Sequence, residues 1–156
     1  MIEITPPTTK TPPTETIVDR IRANASAHPD RLALVCGADC LTWRAFDERI
    51  NRVANALLKI GLRKGATVAI ISANSIPYAE LFMGILRAGG CVTPLSSMAS
   101  PEALQKMLKD CGARAIFVAD QYLELVAGFV NEMPFQRFAI DFEHPDFTDY
   151  EATLAQ

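Results

Sequence analysis

The sequence lacks the charge pattern of a protein that binds nucleic acids or membrane surfaces. Its 15 basic and 18 acidic residues give a formal net charge of -3, and they are scattered rather than clustered. Without a basic stripe the chain has nothing to neutralise phosphates, so nucleic acid is not expected as a partner. No basic amphipathic stretch suggests a membrane surface, and no window approaches the ~18 apolar residues of a membrane span.

The N-terminus also lacks a secretory signal. Residues 1–15 begin without a positively charged segment, contain no continuous apolar run and are rich in proline and threonine. Proline supplies no backbone donor and favours extended geometry, so these residues are predicted to form a flexible arm. We expect the protein to be cytoplasmic.

Cysteine and histidine are too few and too dispersed to predict a metal site or a disulfide framework. Cys36 and Cys40 have a C-x-x-x-C spacing, but the second pair of ligands that a structural zinc site needs is missing. Cys91 falls in a predicted apolar strand and Cys111 on an apolar helix face, where cysteine packs as a small hydrophobic residue. In a cytosol all four thiols would stay reduced.

The glycine motifs that hold nucleotide phosphates are absent as well. Neither G-x-x-x-x-G-K-[ST] nor G-x-G-x-x-G after a strand occurs, and no G-x-S-x-G elbow is present. We therefore predict no catalytic, cofactor-binding or metal-binding residue. Ser96, Ser97 and Met98 form the one candidate segment, because they follow a predicted strand and α/β proteins bind ligands at strand ends. A polar loop that only leads into the next helix is the commoner role for such a segment.

What the chain does contain is a regular alternation of helices and strands. It has 156 residues, of which 49% are hydrophobic and 21% charged, as in a globular domain. The alternation favours right-handed βαβ units, and hence an α/β fold with a mostly parallel sheet and flanking helices. The predicted helices begin near residues 16, 43, 76 and 101, with a further helix over 120–133; the predicted strands are a small hairpin at 32–36 and 40–42, then 67–72, 91–95, 115–119 and 138–141.

Capping residues mark several of these helices. Thr42 is expected to cap the long second helix, and Asp47 and Glu48 are interpreted as members of its first turn. Ser75 is expected to cap the next helix. Residues 142–156 contain an acidic turn region and the start of one more helix, and we predict that they form a truncated connecting segment.

Two stretches, in a fixed order and at a fixed distance, carry a family resemblance. They resemble the N-terminal part of the AMP-forming adenylating enzymes, a superfamily that includes acyl-CoA synthetases, luciferases and the adenylation domains of peptide synthetases. The resemblance covers residues 16 to 125. The first stretch is LTWRAFDERINRVANAL at 41–57 followed by GLRKG at 61–65; the second is Asn74-Ser75, GILRAGGCVTPL at 84–95 and SPEAL at 100–104.

The resemblance implies that residues 16–141 are the N-terminal α/β subdomain of a larger adenylate-forming fold. It implies a parent enzyme that uses ATP and Mg²⁺ to turn a small carboxylic acid into an acyl-adenylate, and then transfers the acyl group to a thiol, typically that of CoA. The family's phosphate loop ending in Pro-Lys-Gly, its adenine and ribose pocket and its C-terminal lysine do not occur in this sequence. The chain alone is therefore expected to be inactive and to bind no cofactor. Its expected partner is the remainder of the parent, and the apolar face left uncovered is expected to make the chain self-associate.

Departures from the family pattern refine this interpretation. Ala45 stands where the family often has a glutamate that would complete a capping box with Thr42, so this helix start is expected to be weaker by a few tenths to ~1 kcal/mol. Ser96 and Ser97 stand where peptide-synthetase domains usually continue with aspartate, which favours an acyl-CoA synthetase. Met98 falls near an arginine that meets CoA in some members, so that contact is not expected here.

Two alternatives stay open at this point. One is a stand-alone binding or assembly module that reuses this half-fold without catalysis. The other is an unrelated Rossmann-like nucleotide binder, which the missing glycine fingerprint disfavours.

Overall fold

The computed structural model describes residues 15–155, so the predicted flexible arm lies almost wholly outside the described residues. A five-stranded parallel sheet and a separate antiparallel hairpin confirm the predicted α/β class. The sheet order is β4-β3-β5-β6-β7. The strands are β1 Leu32–Cys36 and β2 Asp39–Thr42, which form the hairpin, then β3 Thr67–Ile71, β4 Cys91–Pro94, β5 Ala115–Ala119, β6 Gln136–Ile140 and β7 Thr148–Asp149.

Six α-helices flank the strands in the described part of the chain. Four of them begin at hydroxyl caps: Thr16, Thr42, Ser75 and Ser100 accept hydrogen bonds from backbone N–H groups three residues later. Each bond satisfies one of the N–H groups that a helix start leaves unpaired. The helices are α1 Ile17–Ala27, α2 Trp43–Lys59, α3 Ile76–Arg87, α4 Pro101–Asp110, α5 Leu123–Ala127 and α6 Tyr150–Leu154.

The helices cover both faces of the sheet. Side chains from α2, α3 and α6 pack on one face with Val68, Ile70 and Phe117, whereas α4 and α5 pack on the other with Ile116 and Val118. The hairpin and α1 form an outer layer on α2 and α3. β3 is buried on both faces, as its short β-branched run predicted.

The helix predicted over 120–133 is wrong as a continuous element. A 3₁₀ turn at Asp120–Tyr122 precedes α5, and another at Val130–Glu132 follows it. Glycine costs about 1 kcal/mol relative to alanine inside a helix, and Gly128 stands where α5 ends. The helical spacing still identified the right apolar side chains, since Val126 and Val130 are both buried.

Cys91 also corrects the sequence interpretation. We expected it to pack as a small hydrophobic residue inside an apolar strand, but its side chain is exposed. The reason is topological, because β4 lies at the edge of the sheet and Cys91 is its first residue. Cys111 is half-buried against the apolar cluster under α4, as expected.

The segment after residue 141 adds to the sheet and to its core. The helix start expected there is α6, and β7 precedes it as a parallel neighbour of β6. Tyr150 and Leu154 are buried in the cluster beneath α2 and α3. Within the described residues this segment therefore packs as part of the same layered structure.

Candidate functional site

The strand order places a candidate site at the carboxyl edge of the sheet. From β3 the chain passes through α3 on one face to β4, and then through α4 on the other face to β5. The connection that leaves β3 runs through α3 to β4, whereas the connection that leaves β5 runs through α5 to β6 on the opposite side, so β3 and β5 flank a topological switch point. Open α/β sheets bind ligands in the crevice outside the carboxyl ends of the strands at such a point.

The loop after β4 carries the three residues singled out from the sequence. Its base is anchored, because Leu95 is buried and its N–H donates to the carbonyl of Ile70 over 2.8 Å. Ser96 accepts a hydrogen bond from the N–H of Met98 over 3.3 Å and turns the chain. Ser97 is exposed, and Met98 is 94% exposed. The loop therefore presents two hydroxyls and an uncovered thioether at the carboxyl edge.

The loop after β3 lies beside this edge and connects it to the hairpin. Ser75 caps α3, and Ser72 donates its hydroxyl hydrogen to the carbonyl of Ala73. The carbonyl of Asn74 accepts a weak hydrogen bond from the thiol of Cys36 at 3.7 Å. These contacts order the β3 loop through its own backbone and the hairpin.

The remaining carboxyl-edge loops add carboxylates. Asp120 follows β5, and Asp141 follows β6 with a φ of 63°, in the left-handed region that aspartate tolerates better than most residues. Both are exposed. In the first turn of α4, hydrogen bonds from its own backbone N–H and from Ser100 lower the pKa of Glu102.

The chemistry available at this edge is that of hydrogen bonding and apolar contact. Residues 72–75, 95–100, 119–122 and 141–146 include hydroxyls, amides and carboxylates, but no lysine or arginine. A developing charge on a transferring phosphoryl group needs fixed cations or aimed donors, which these loops do not supply. They can line a pocket for a neutral or apolar group.

A buried polar cluster away from this edge was missed by the sequence analysis. Glu80, on α3, is 0% exposed and accepts hydrogen bonds from the Tyr150 hydroxyl at 2.7 Å and from Nε of Arg49. The other end of the Arg49 guanidinium binds the carboxylate of Glu151. The one available signal was a single acidic residue within the apolar segment IPYAELFMGILR.

The pKa shifts in this cluster follow from burial and charge. Burial raises the pKa of the Tyr150 hydroxyl, and the adjacent Glu80 carboxylate raises it further, so the phenol stays protonated and donates. Burial alone would lower the pKa of Arg49, but hydrogen bonds to Glu151 and Glu80 raise it above its ordinary value. The cluster therefore ties α2, α3 and α6 together.

A second cluster joins α1, α2 and α3. Arg87 pairs with Asp47 at 2.7 Å, and both side chains are largely buried. The same guanidinium donates to the side chain of Asn51 and to the carbonyl of Val18. The interpretation of Asp47 and Glu48 as first-turn residues of α2 is wrong, because the helix begins at Trp43 and its first turn contains no acidic residue. Asp47 instead pairs with Arg87 on α3.

The described part of the chain contains neither a helix that could cross a membrane nor a cluster of metal-binding side chains. None of the helices between residues 15 and 155 is long and apolar enough to cross a membrane. Over the same residues, no group of three or more His, Cys, Asp or Glu could hold a metal ion.

Comparison with known proteins matches most of the chain to one enzyme family. Residues 21–152 match the sequence profile described as AMP-binding enzyme. A component of the linear gramicidin synthase from Brevibacillus parabrevis is 32% identical over 123 residues, which are 79% of this chain and 2% of that protein. A long-chain-fatty-acid–CoA ligase from Escherichia coli O6:H1 is 30% identical over 123 residues, 78% of this chain and 22% of the ligase.

A solved structure agrees with these relatives. A protein from Rhodopseudomonas palustris, assigned as a long-chain-fatty-acid CoA ligase, superimposes with a TM-score of 0.84 at 26% identity. The match covers 88% of this chain and 36% of that one. The chain thus spans 22% or less of the two curated relatives and about a third of the solved structure.

Proposed function

The chain belongs to the AMP-binding enzyme family, and from that premise we propose that it is the N-terminal subdomain of a longer ATP-dependent ligase that joins a carboxylic acid to CoA. In the proposed reaction a carboxylate oxygen attacks the α-phosphorus of ATP and pyrophosphate leaves. The CoA sulfur then attacks the acyl carbon, AMP leaves and the thiol proton is lost. We assign no step of this reaction to a residue of this chain.

The role proposed for this chain is to scaffold the enzyme and to form part of the wall of the acyl pocket. The observation that carries this proposal is the loop after β4, where Met98 is 94% exposed at the edge at which α/β sheets bind ligands. A thioether is polarisable and adapts its shape to apolar groups. We therefore propose acids with an apolar acyl group, such as fatty acids.

The choice of CoA as the acceptor is a finer part of the proposal. It rests on Ser96 and Ser97, which stand where adenylation domains of peptide synthetases usually have aspartate. The relatives include both a CoA ligase and a gramicidin synthase, so they support the family rather than the acceptor. A cytoplasmic location stays a prediction.

The proposal is tested by comparing the chain with a longer protein that contains it. Residues 1–156 alone should give no acid-dependent ATP–pyrophosphate exchange, because the phosphate loop and catalytic lysine of the family are absent from this sequence. The protein expressed from the native reading frame past Gln156 should show exchange and form a thioester with CoA. Exchange by residues 1–156 alone would contradict the proposal, and a frame that stops at Gln156 would favour a non-catalytic binding or assembly module.

The pocket-wall role is tested in that longer protein by enlarging Met98. Met98→Trp should lower kcat/KM for bulky acids by about tenfold relative to short ones, since pocket volume discriminates acyl size by ~1–3 kcal/mol. Met107→Trp is the control, because Met107 is an exposed methionine on α4 rather than in the loop. Equal effects of the two substitutions on all acids would remove Met98 from the pocket wall.

Self-association of the chain alone also stays a prediction. Its exposed large apolar side chains are spread over α1, the hairpin, α2, the β4 loop and α4: Ile17, Leu32, Val35, Leu58, Met98 and Met107. Light scattering of residues 1–156 at rising concentration should show a mass above that of the monomer. A constant monomer mass would argue against an uncovered apolar interface.

A further inference from the structure

A wide concavity opens at the amino edge of the sheet, opposite to the loops described above. Its volume is about 1110 Å³. Three turns form it, at residues 60–67, 111–115 and 133–137, and these turns lead into β3, β5 and β6. Because these strands are neighbours in the sheet, the three turns lie side by side. We call this concavity the amino-edge trough.

Every charged residue that lines the amino-edge trough is basic. These residues are Arg63, Lys64, Arg114 and Arg137, and no aspartate or glutamate among residues 15–155 lines it. The first three are exposed, and the fourth is half-buried and donates through Nε to the carbonyl of Asp146. None of the four takes part in the ion pairs found among residues 15–155. A chain with a net charge of -3 thus collects four positive charges around one concavity.

Helix dipoles account for only part of this charge. The C-terminal ends of α2, at Lys59, and of α4, at Asp110, adjoin the trough, and cations near such ends are stabilising. That effect falls off within the last turn of a helix. Arg114 lies four positions after the end of α4, and Arg137 lies within β6. These two cations therefore have no structural role in capping a helix.

The backbone of the trough argues against a phosphate group as its occupant. Phosphate sites use helix N-termini or converging free N–H groups, whereas this edge collects the C-terminal ends of helices. Several N–H groups at the trough already donate within the fold: that of Gly65 to Gly89, that of Arg114 to Thr67 and that of Gln136 to Arg114. A compact polyanion such as phosphate would therefore meet few free N–H donors in the trough.

We propose that the amino-edge trough binds an acidic polypeptide segment. Carboxylates spaced along an extended chain can meet cations that are spread over three adjacent turns, because neighbouring strands lie ~4.8 Å apart. Half-buried Ile60 and exposed Pro134 supply apolar contact between the cations. Complementary charge of this kind speeds and orients association more than it tightens it.

The test uses residues 1–156 and a short fluorescent peptide of alternating glutamate and alanine. Fluorescence anisotropy should show saturable binding that weakens between about 50 and about 200 mM salt, as expected for screened, exposed charges. Amide NMR shifts should change at residues 60–67, 111–115 and 133–137. The double substitution Arg63→Glu, Arg114→Glu should weaken binding at least about tenfold, whereas Arg22→Glu on α1 should leave it within about twofold.

The outcomes separate the proposal from its rivals. Absence of saturable binding, shifts at other residues, or equal weakening by Arg22→Glu would overturn it. Inorganic tripolyphosphate that shifts the trough amides where the peptide does not would also overturn it and assign a phosphate site instead. If the double reversal unfolds the chain, Arg63→Gln with Arg114→Gln takes its place and must still weaken peptide binding.

Discussion

The two faces of the parallel sheet are covered by different kinds of contact. On the face of α2, α3 and α6, two buried ion-pair clusters, around Glu80 and Arg87, sit at the helix junctions. On the face of α4 and α5, apolar side chains alone fill the core cluster, and α5 is short and interrupted. The first face adds directional pairs between distant segments to its own apolar cluster, whereas the second depends on filled volume alone.

Close helix packing makes the polar face possible. Gly84 on α3 has no side chain, and a Cβ there would lie 2.3 Å from Cγ1 of Val53 on α2. The two helices therefore approach closely enough for Arg49 and Glu80 to pair across them. A buried charge is stable only while its partner is present, so this face should be less tolerant of substitution than the apolar one.

The largest effect is expected from Glu80→Ala. This change leaves the Tyr150 hydroxyl without its acceptor and removes one of the two carboxylates that bind Arg49. Breaking a buried charged pair costs about 3–5 kcal/mol, and the lower end applies here because Arg49 keeps the exposed Glu151. Urea unfolding followed by circular dichroism measures the loss.

Glu124→Ala is the matched control for this change. Glu124 is exposed on α5, on the apolar face, and its loss should alter the free energy of unfolding by no more than about 0.5 kcal/mol. Similar losses for both substitutions would mean that the Glu80 cluster contributes no more than a surface carboxylate.

A smaller effect is expected from Tyr150→Phe, which removes only the donor to Glu80. Leaving a buried hydrogen-bond partner such as Glu80 without this donor lowers the free energy of unfolding by about 1–3 kcal/mol. The sign of the pH dependence is fixed, since the folded pKa of Tyr150 is raised above its unfolded value near 10. The hydroxyl's contribution is therefore complete below about pH 10 and is lost as the pH rises further.

The pH dependence of the Tyr150→Phe effect tests the hydrogen bond to Glu80. Tyr122→Phe is the control, because Tyr122 is only partly buried against the apolar cluster of α4 and α5. The stability gap between the native chain and Tyr150→Phe should narrow above about pH 10, whereas Tyr122→Phe should cost less at neutral pH. A constant gap for Tyr150→Phe would contradict the hydrogen bond to Glu80.

On the apolar face, Leu104→Met should cost less than about 1.5 kcal/mol, because volume-conserving apolar exchanges are tolerated. Leu104 is 0% exposed in the cluster beneath α4, so the site is as buried as Glu80. The matched change on the polar face is Glu80→Gln, which keeps shape but loses charge, and should cost more. Urea unfolding measures both losses. A larger loss for Leu104→Met than for Glu80→Gln would contradict the proposed difference between the two faces.

The same contrast explains what the sequence could predict. Caps, strand runs and apolar spacing act over a few residues, so Thr42, Ser75 and the buried β3 were predictable. The pairing of Glu80 with Tyr150 joins residues 70 positions apart and needs the tertiary structure. The exposure of Cys91 depends on strand order, which spacing alone does not set.

The candidate site likewise has one part that the sequence could predict and another that it could not. Placing Ser96 and Met98 at a strand end required only the order of elements along the chain. Their part in a pocket wall stays a proposal. The amino-edge trough collects cations from three separate turns, so no local pattern in the sequence could have indicated it.

The smallest expected effect is a gain at the start of α2, tested with Ala45→Glu. α1 has a complete capping box, in which the Thr16 hydroxyl accepts from the N–H of Asp19 and the Asp19 carboxylate accepts from the N–H of Thr16. At α2 only the first half exists, in which the N–H of Ala45 donates to the Thr42 hydroxyl. The new carboxylate should raise the free energy of unfolding by about 0.3–1 kcal/mol, because it can accept a hydrogen bond from the N–H of Thr42 and interacts favourably with the helix dipole. Urea unfolding should show this gain at neutral pH and lose it on acidification, as the carboxylate takes up a proton; an equal gain from Ala45→Lys would attribute it to helix propensity instead.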